Sequence, residues 1–139
     1  MNATCLCGAV TVTVPAKPDF IHDCDCSLCR KSGAGWGYYA PEAVTTVGST
    51  ISAARPDKPV PAAAVHSCAT CGATTHYAMT EAFEQKHGPA AVIGVNMRLF
   101  DPEGLAGVEV RFPDGRAWEG EGAFGYRRPP VTIGRDSAW

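Results

Sequence analysis

The sequence predicts a mainly β domain built from short strands, with brief helical turns between them. Apolar and polar residues alternate along Val10–Val14, as they do in a strand with one buried face. Fifteen glycines and eleven prolines break the chain frequently. The seven cysteines occur only in closely spaced clusters, and cross-links of some kind would support the modest core of so short a chain.

The first half of the chain predicts four strands. Pro15 ends the first of them, a turn at Ser32–Gly35 precedes the third, and Gly48 ends the fourth. A helical turn is expected at Pro41–Ala43, and a loop at Arg55–Pro61, which holds three prolines. The predicted strands are, in order, Val10–Val14, Phe20–Asp23, Trp36–Ala40 and Val44–Val47.

The second half predicts a hairpin, a helix and two further strands. Val65–Ser67 leads into a C-x-x-C turn and Thr74–Ala78 leads out of it, as the two strands of a hairpin would. Thr80–Lys86 fits two turns of helix with Thr80 as the N-cap. The remaining elements are strands at Ala91–Met97 and Gly107–Phe112, a helical turn at Asp101–Glu103 and a turn at Pro113–Gly115.

A length of 139 residues suits one domain. We predict a single domain over residues 1–126, without an internal linker. Residues 127–139 begin with the sequence Arg127-Arg128-Pro129-Pro130 and read as an extended C-terminal tail, which could pack on a neighbouring copy in a homo-oligomer.

Charge and hydropathy exclude several functional classes. The formal net charge is −2 and the isoelectric point is about 6.0, so the chain lacks the basic surplus of a nucleic-acid-binding protein. No apolar run reaches the roughly 20 residues of a membrane-spanning helix. The first residues show no signal peptide. We therefore expect a cytoplasmic protein with no nucleic-acid or membrane partner.

The cysteine spacing indicates zinc. Cys5 and Cys7 form a C-x-C pair, Cys68 and Cys71 form a C-x-x-C pair, and a glycine and an alanine follow each pair. Two such half-sites together supply the four soft ligands of a structural zinc. Disulfides, an iron–sulfur cluster and, for the second pair, a thioredoxin-like redox site are the alternatives.

The third cluster, Cys24-x-Cys26-x-x-Cys29, has no fourth cysteine left to complete a tetrahedron. A zinc site that keeps one position open is typical of catalysis, and a thiolate-rich site suits a thiol guest. The alternative is that a histidine closes this second site and makes it structural; the candidates are His22, His66 and His76.

Together these motifs resemble the glutathione-dependent formaldehyde-activating enzyme family, which includes centromere-protein-V-like proteins. The similarity extends from Cys5 to about Leu105, and includes Val95-Asn96-Met97-Arg98 and all seven cysteines. It implies a β-tent of stacked antiparallel sheets and two zinc sites. The structural zinc would fall on Cys5, Cys7, Cys68 and Cys71, and the active-site zinc on Cys24, Cys26 and Cys29.

The family's activity joins formaldehyde to glutathione as S-(hydroxymethyl)glutathione, and is classed as a carbon–sulfur lyase. We therefore expect a lyase-like enzyme acting on a small thiol–aldehyde adduct. The alternative is a non-catalytic, zinc-stabilised binding module in which both metals are structural.

Several residues outside the clusters could bind the thiol substrate. Arg30 and Lys31 could hold a carboxylate such as that of glutathione, although both could simply be solvent-exposed. Trp36 could line the pocket with its neighbours, or belong to the core. Asn96 could bind a ligand amide, or serve a turn. Two further side chains are candidates for a general acid, Tyr38 and His66.

Overall fold

The computed structural model describes residues 1–120, 122–134 and 139. Its strands are β1 Asn2–Thr4, β2 Thr11–Thr13, β3 Phe20–His22, β4 Trp36–Tyr39, β5 Thr45–Val47, β6 Thr50–Ala54, β7 Ala63–Cys68, β8 Thr74–Met79, β9 Ile93–Asn96, β10 Glu109–Arg111 and β11 Val131–Thr132. Its helices are α1 Ser27–Ser32 and α2 Glu81–His87, with 3₁₀ turns at Pro41–Ala43, Met97–Leu99 and Pro102–Leu105.

The strands form two sheets. The smaller has the order β1-β2-β5, and the larger has the order β11-β10-β3-β4-β9-β8-β7-β6. Neighbouring strands are antiparallel, apart from β3 and β10, which are parallel. The prediction of a mainly β fold with short helices is confirmed, since strands hold 33% and helices 17% of the described residues. The one parallel pair departs from the expected antiparallel sheets.

The main core is formed by apolar side chains from both sheets. The alternation predicted around β2 is observed, because Val10, Val12 and Val14 are all buried. They belong to one cluster with Ile21 of β3 and Val110 of β10, which are partners in the large sheet. Full burial of each such aliphatic side chain stabilises the fold by about 1.5–3 kcal/mol.

Most predicted elements are present within a few residues of their expected bounds. The hairpin is β7 with β8, and Thr80 is the N-cap of α2, since its hydroxyl accepts a hydrogen bond from the Phe83 N–H at 3.2 Å. Helix α1 was not predicted. It includes Ser32, which was expected in a turn, and ends at Gly33 with a φ of 65°. Strands β1, β6 and β11 were also missed.

Residues 127–139, predicted as a tail, contribute in part to the large sheet. Strand β11 pairs with β10, and Ile133 is buried in the core. Residues 135–138 lie outside the described residues, and the division at residue 126 stays a prediction. Within the described residues, no helix has both the length and the apolar character needed to cross a membrane.

Candidate functional site

Four cysteines, two after a strand of the small sheet and two at the end of a strand of the large sheet, lie close together. Cys5 and Cys7 follow β1 of the small sheet, whereas Cys68 ends β7 of the large sheet and Cys71 lies in the turn to β8. Their sulfur atoms all lie within 4.8 Å of one another. The fold therefore brings together the four residues that spacing had grouped.

The two cysteine turns share a backbone geometry. The Gly8 N–H donates to the carbonyl of Cys5 at 3.0 Å, and the Gly72 N–H donates to the carbonyl of Cys68 at 2.9 Å. Both glycines have a positive φ, of 77° and 74°, a region in which other residues are strained. Each turn can thus close tightly around its pair of sulfurs.

The sulfur spacing fits a tetrahedral metal ion. Cys7 Sγ lies 3.6 Å from Cys5 Sγ and 3.8 Å from Cys68 Sγ, and a zinc site with Zn–S bonds of about 2.3 Å separates its sulfurs by about 3.8 Å. Burial raises the pKa of Cys5, but hydrogen bonds from the Val10 N–H and from neighbouring thiols outweigh it and lower the value to about 6. For Cys7 the hydrogen bond from the Ala9 backbone lowers the pKa, but burial and the neighbouring thiols outweigh it and raise the value to about 11. The four thiols therefore share charge as one set, and their spacing and soft donor atoms fit zinc.

The second cluster lies at the start of α1. Cys24 and Cys26 occupy the loop after β3, and Cys29 lies within the helix. Cys26 Sγ is 3.3 Å from Cys29 Sγ, and the three sulfurs lie within 4.8 Å of one another. Among the described residues, no histidine, aspartate or glutamate joins this group at that distance. Three thiols around one point, half-buried, also fit a soft divalent cation.

The three thiols do not ionise independently. Hydrogen bonds from Cys24 and Cys29 lower the pKa of Cys26. Hydrogen bonds with Cys24 and Cys26 raise the pKa of Cys29, and the hydrogen bond with Cys26 raises that of Cys24. One negative charge is therefore readily held by the trio, whereas further deprotonation needs a compensating positive charge. A bound cation supplies that charge.

Trp36 of β4 packs against this cluster from the interior. Its indole N–H donates to Cys29 Sγ at 3.1 Å, and its ring meets that of Tyr77 edge-on at 5.0 Å. Trp36 is only 2% exposed. It therefore fixes one sulfur of the cluster and shields that side from water.

A cavity of about 350 Å³ opens beside the three cysteines. Its wall includes Cys24, Cys29 and three arginines, Arg30, Arg98 and Arg127. A larger concavity of about 570 Å³, formed partly by β10, has no cysteine in its lining. The cavity beside the cluster thus combines sulfur ligands with a concentration of guanidinium groups.

Two of these arginines are held by acidic neighbours. Arg98 lies 2.9 Å from a carboxylate oxygen of Asp23, and Arg127 lies 3.7 Å from Asp23 and 3.6 Å from Asp25. No side-chain partner of Arg30 is found within the described part of the chain. Of the three arginines that line the cavity, Arg30 is therefore the one most available to an anionic ligand.

Comparison with known proteins agrees with this geometry. Residues 1–107 match the model of the glutathione-dependent formaldehyde-activating enzyme family. The chain belongs to this family. A solved structure of a Rhodobacter sphaeroides protein is 28% identical, with a TM-score of 0.57 over 78% of this chain and 97% of that one. No curated protein is similar enough in sequence to match.

The residues predicted to bind ligand in this family member lie in different environments. Arg30 lines the cavity, whereas Lys31 is exposed and is not part of its wall. Asn96 is 5% exposed. Its amide accepts from the N–H groups of Gly35 and Arg98 at 3.2 Å each and donates to a backbone carbonyl. Its hydrogen bonds thus serve β9 and its surroundings.

The two candidate general acids also lie apart from the cavity wall. The hydroxyl of Tyr38 lies 3.0 Å from Nδ1 of His22, and burial raises the pKa of that phenol. His66 stacks on His76 across the β7–β8 pair, with 4.4 Å between ring centroids. None of these three histidines has a ring nitrogen within 4.8 Å of all three sulfur atoms of the cysteine trio.

Sequence reasoning assigned no role to four charged residues near the trio. Asp23 and Asp25 flank Cys24 in the sequence, so their proximity to the site could have been read from the chain. Arg98 and Arg127 reach them from 75 and 104 residues away. Only the fold reveals that these arginines belong to the site.

Proposed function

We propose that this family member is a zinc-dependent carbon–sulfur lyase-like enzyme that acts on a small thiol–aldehyde adduct, as S-(hydroxymethyl)glutathione synthase does. The observation that carries the proposal is the open side of the three-cysteine cluster, where Cys24 and Cys29 face a cavity that also presents arginines. A closed structural site would have no need of such a cavity.

Zinc held by Cys24, Cys26 and Cys29 would supply Lewis acidity, which favours the thiolate form of a thiol that enters the cavity. The protein's own side chains bind and orient that thiol. Arg30 offers a carboxylate two parallel hydrogen bonds. Trp36 fixes Cys29 and keeps water from the inner side of the cluster.

The reaction balances without an oxidant or reductant. The thiol sulfur forms a bond to the carbonyl carbon of the aldehyde, and the carbonyl electron pair moves to oxygen. That oxygen takes up a proton equivalent to the one lost from the thiol. Holding both reactants in one cavity would replace a bimolecular encounter with a local one. Glutathione is the thiol that family membership favours, and the cytoplasm, where thiols stay reduced, is the compartment that suits it.

The direct test compares adduct formation from glutathione and formaldehyde with and without the purified zinc-loaded protein. Because the two reactants combine spontaneously, the rate must exceed that of matched buffer, which exchange NMR can measure. We expect acceleration by the parent protein and none by Cys26→Ser. Buffer-like rates with intact zinc would reject the lyase proposal and favour the binding module.

A second variant tests the substrate carboxylate. Arg30→Ala should raise KM for glutathione about tenfold with little change in kcat, because it removes a charge-assisted contact. Lys86→Ala, which removes an exposed positive charge from α2, is the matched control. An unchanged KM in the first variant would remove Arg30 from the site.

A further inference from the structure

Two stretches of the chain, residues 112–116 and 125–127, are hydrogen-bonded to each other beside the three-cysteine site, and we call them together the strap. Its ends are joined because the Arg127 N–H donates to the carbonyl of Phe112 at 2.8 Å. One step inward, the Asp114 N–H donates to the carbonyl of Gly125 at 2.7 Å. The whole strap follows the region that matches the family, which ends at residue 107.

Gly115 brings the backbone of the strap against the cluster. A Cβ atom at this position would lie 2.3 Å from Cys24 Sγ and 2.9 Å from Cys26 Cβ. The φ of Gly115 lies outside the left-handed region, so the requirement for glycine is one of space. Any side chain here must displace the sulfur of Cys24 or the strap itself.

Arg127, at the other end of the strap, holds both acidic residues that flank Cys24. Its guanidinium lies 3.7 Å from the carboxylate of Asp23 and 3.6 Å from that of Asp25, and it also donates to the backbone carbonyl of Asp23. The backbone N–H of Arg116 donates to Asp25 at 3.2 Å. The loop that carries Cys24 is therefore attached to the strap on both sides of the cysteine.

We propose that the strap positions Cys24 for metal binding, with Gly115 and Arg127 as its positioning residues. The inference depends on the three cysteines holding a cation, but not on the lyase activity, so the two can fail separately. Electrostatics alone makes the opposite prediction for Arg127: removing a positive charge near a cation site would strengthen cation binding. Positioning predicts weaker binding.

Two matched pairs of variants test the strap. Gly115→Ala is compared with Gly125→Ala, because a Cβ at Gly125 would meet nothing within 4 Å. Arg127→Gln is compared with Arg128→Gln, because both guanidinium groups lie over the Phe112 ring, at 6.0 and 3.6 Å, but of the two it is Arg127 that also pairs with Asp23 and Asp25. Each variant, with zinc in the four-cysteine site, is titrated with Co²⁺, and the thiolate-to-cobalt absorption gives the affinity of the three-cysteine site.

We expect Co²⁺ affinity to fall at least tenfold in Gly115→Ala and severalfold in Arg127→Gln, while both controls stay within twofold of the parent. Arg127→Lys should recover part of the loss. Equal affinity in Gly115→Ala and Gly125→Ala, or tighter binding in Arg127→Gln, would overturn the proposal. If Gly115→Ala also released zinc from the four-cysteine site, its effect would not be specific to the trio. The comparison of Arg127→Gln with Arg128→Gln would then decide whether the strap positions Cys24. Glutathione–formaldehyde kinetics of the parent are measured separately, so an inactive parent with a responsive strap rejects only the lyase proposal.

Discussion

The two cysteine clusters should differ sharply in their effect on folding, and paired serine substitutions measure that difference. Cys68→Ser removes one ligand of the four-cysteine site, and Cys26→Ser removes one ligand of the trio. Each change replaces a single sulfur with oxygen. Cys68 is 1% exposed within the main core, whereas Cys26 is only half-buried at the protein surface.

The expected loss of folding free energy in each variant follows from which parts of the fold its site connects. Structural zinc contributes about 10–16 kcal/mol of apparent binding free energy in small zinc domains, which is comparable to the 5–15 kcal/mol total stability of a typical domain. The four-cysteine site joins the two sheets, so loss of even half of that energy leaves little folded protein. The trio joins a loop to a six-residue helix. We expect Cys26→Ser to cost about 0.5–3 kcal/mol, the range of most single substitutions.

Thermal unfolding followed by circular dichroism, with zinc content measured on the same samples, is the assay. Cys68→Ser should be insoluble or largely unfolded at 25 °C. Cys26→Ser should fold, retain the zinc of the four-cysteine site and lose that of the trio. Equal destabilisation by the two variants would refute this reasoning, and so would a Cys68→Ser protein that melts within a few degrees of the parent.

Three further predictions concern the surroundings of the clusters. Trp36→Phe removes the indole donor to Cys29, and since a hydrogen bond to a charged acceptor contributes about 1.5–3 kcal/mol, Co²⁺ affinity of the trio should fall about tenfold or more. Gly94→Ala would place a Cβ 2.0 Å from the Tyr77 ring and should cost about 1–3 kcal/mol in denaturant unfolding; a cost below 0.5 kcal/mol would contradict the packing. Burial, with a smaller contribution from the neighbouring imidazole, lowers the pKa of His76 to about 4. The unfolded chain, with a histidine pKa of about 6.5, then binds more protons, so this residue makes the fold lose stability as pH falls from about 6.5 to 4. Imidazole NMR should show titration below pH 5, and a value near 6.5 would contradict it.

Local patterns predicted the parts of the fold that depend on local chemistry. Cysteine spacing grouped both ligand sets because a metal knuckle needs its ligands a few residues apart. Thr80 could be predicted as the N-cap of α2 because capping depends only on one side chain and the adjacent backbone. The alternation of apolar and polar residues predicted β2, because this strand has one buried face. In contrast, α1 is only six residues long and has no fully buried residue, so it leaves no helical period to detect.

Long-range contacts account for what the sequence did not reveal. Arg127 reaches Asp23 across 104 residues, and nothing in Arg127-Arg128 shows which arginine turns toward the site. The sequence predicts a turn that includes Gly115. The closeness of Gly115 to Cys24 depends on how the strap folds against the cluster. Asn96 was an equally good candidate for ligand binding or for a turn, and only its three hydrogen bonds within the protein show how it is used.

Under the proposed function, the two clusters separate folding from chemistry. The four-cysteine site lies in the core and connects both sheets, so selection for a folded chain is enough to keep it. The trio lies beside a surface cavity, and the contacts that shape it come from Trp36, Arg98 and Arg127. Family membership follows from residues 1–107, yet Arg127 lies beyond them. The strap therefore lies outside the part of the chain that shows the family, and it is the place where we expect substitutions to alter the metal affinity of the trio without changing the fold.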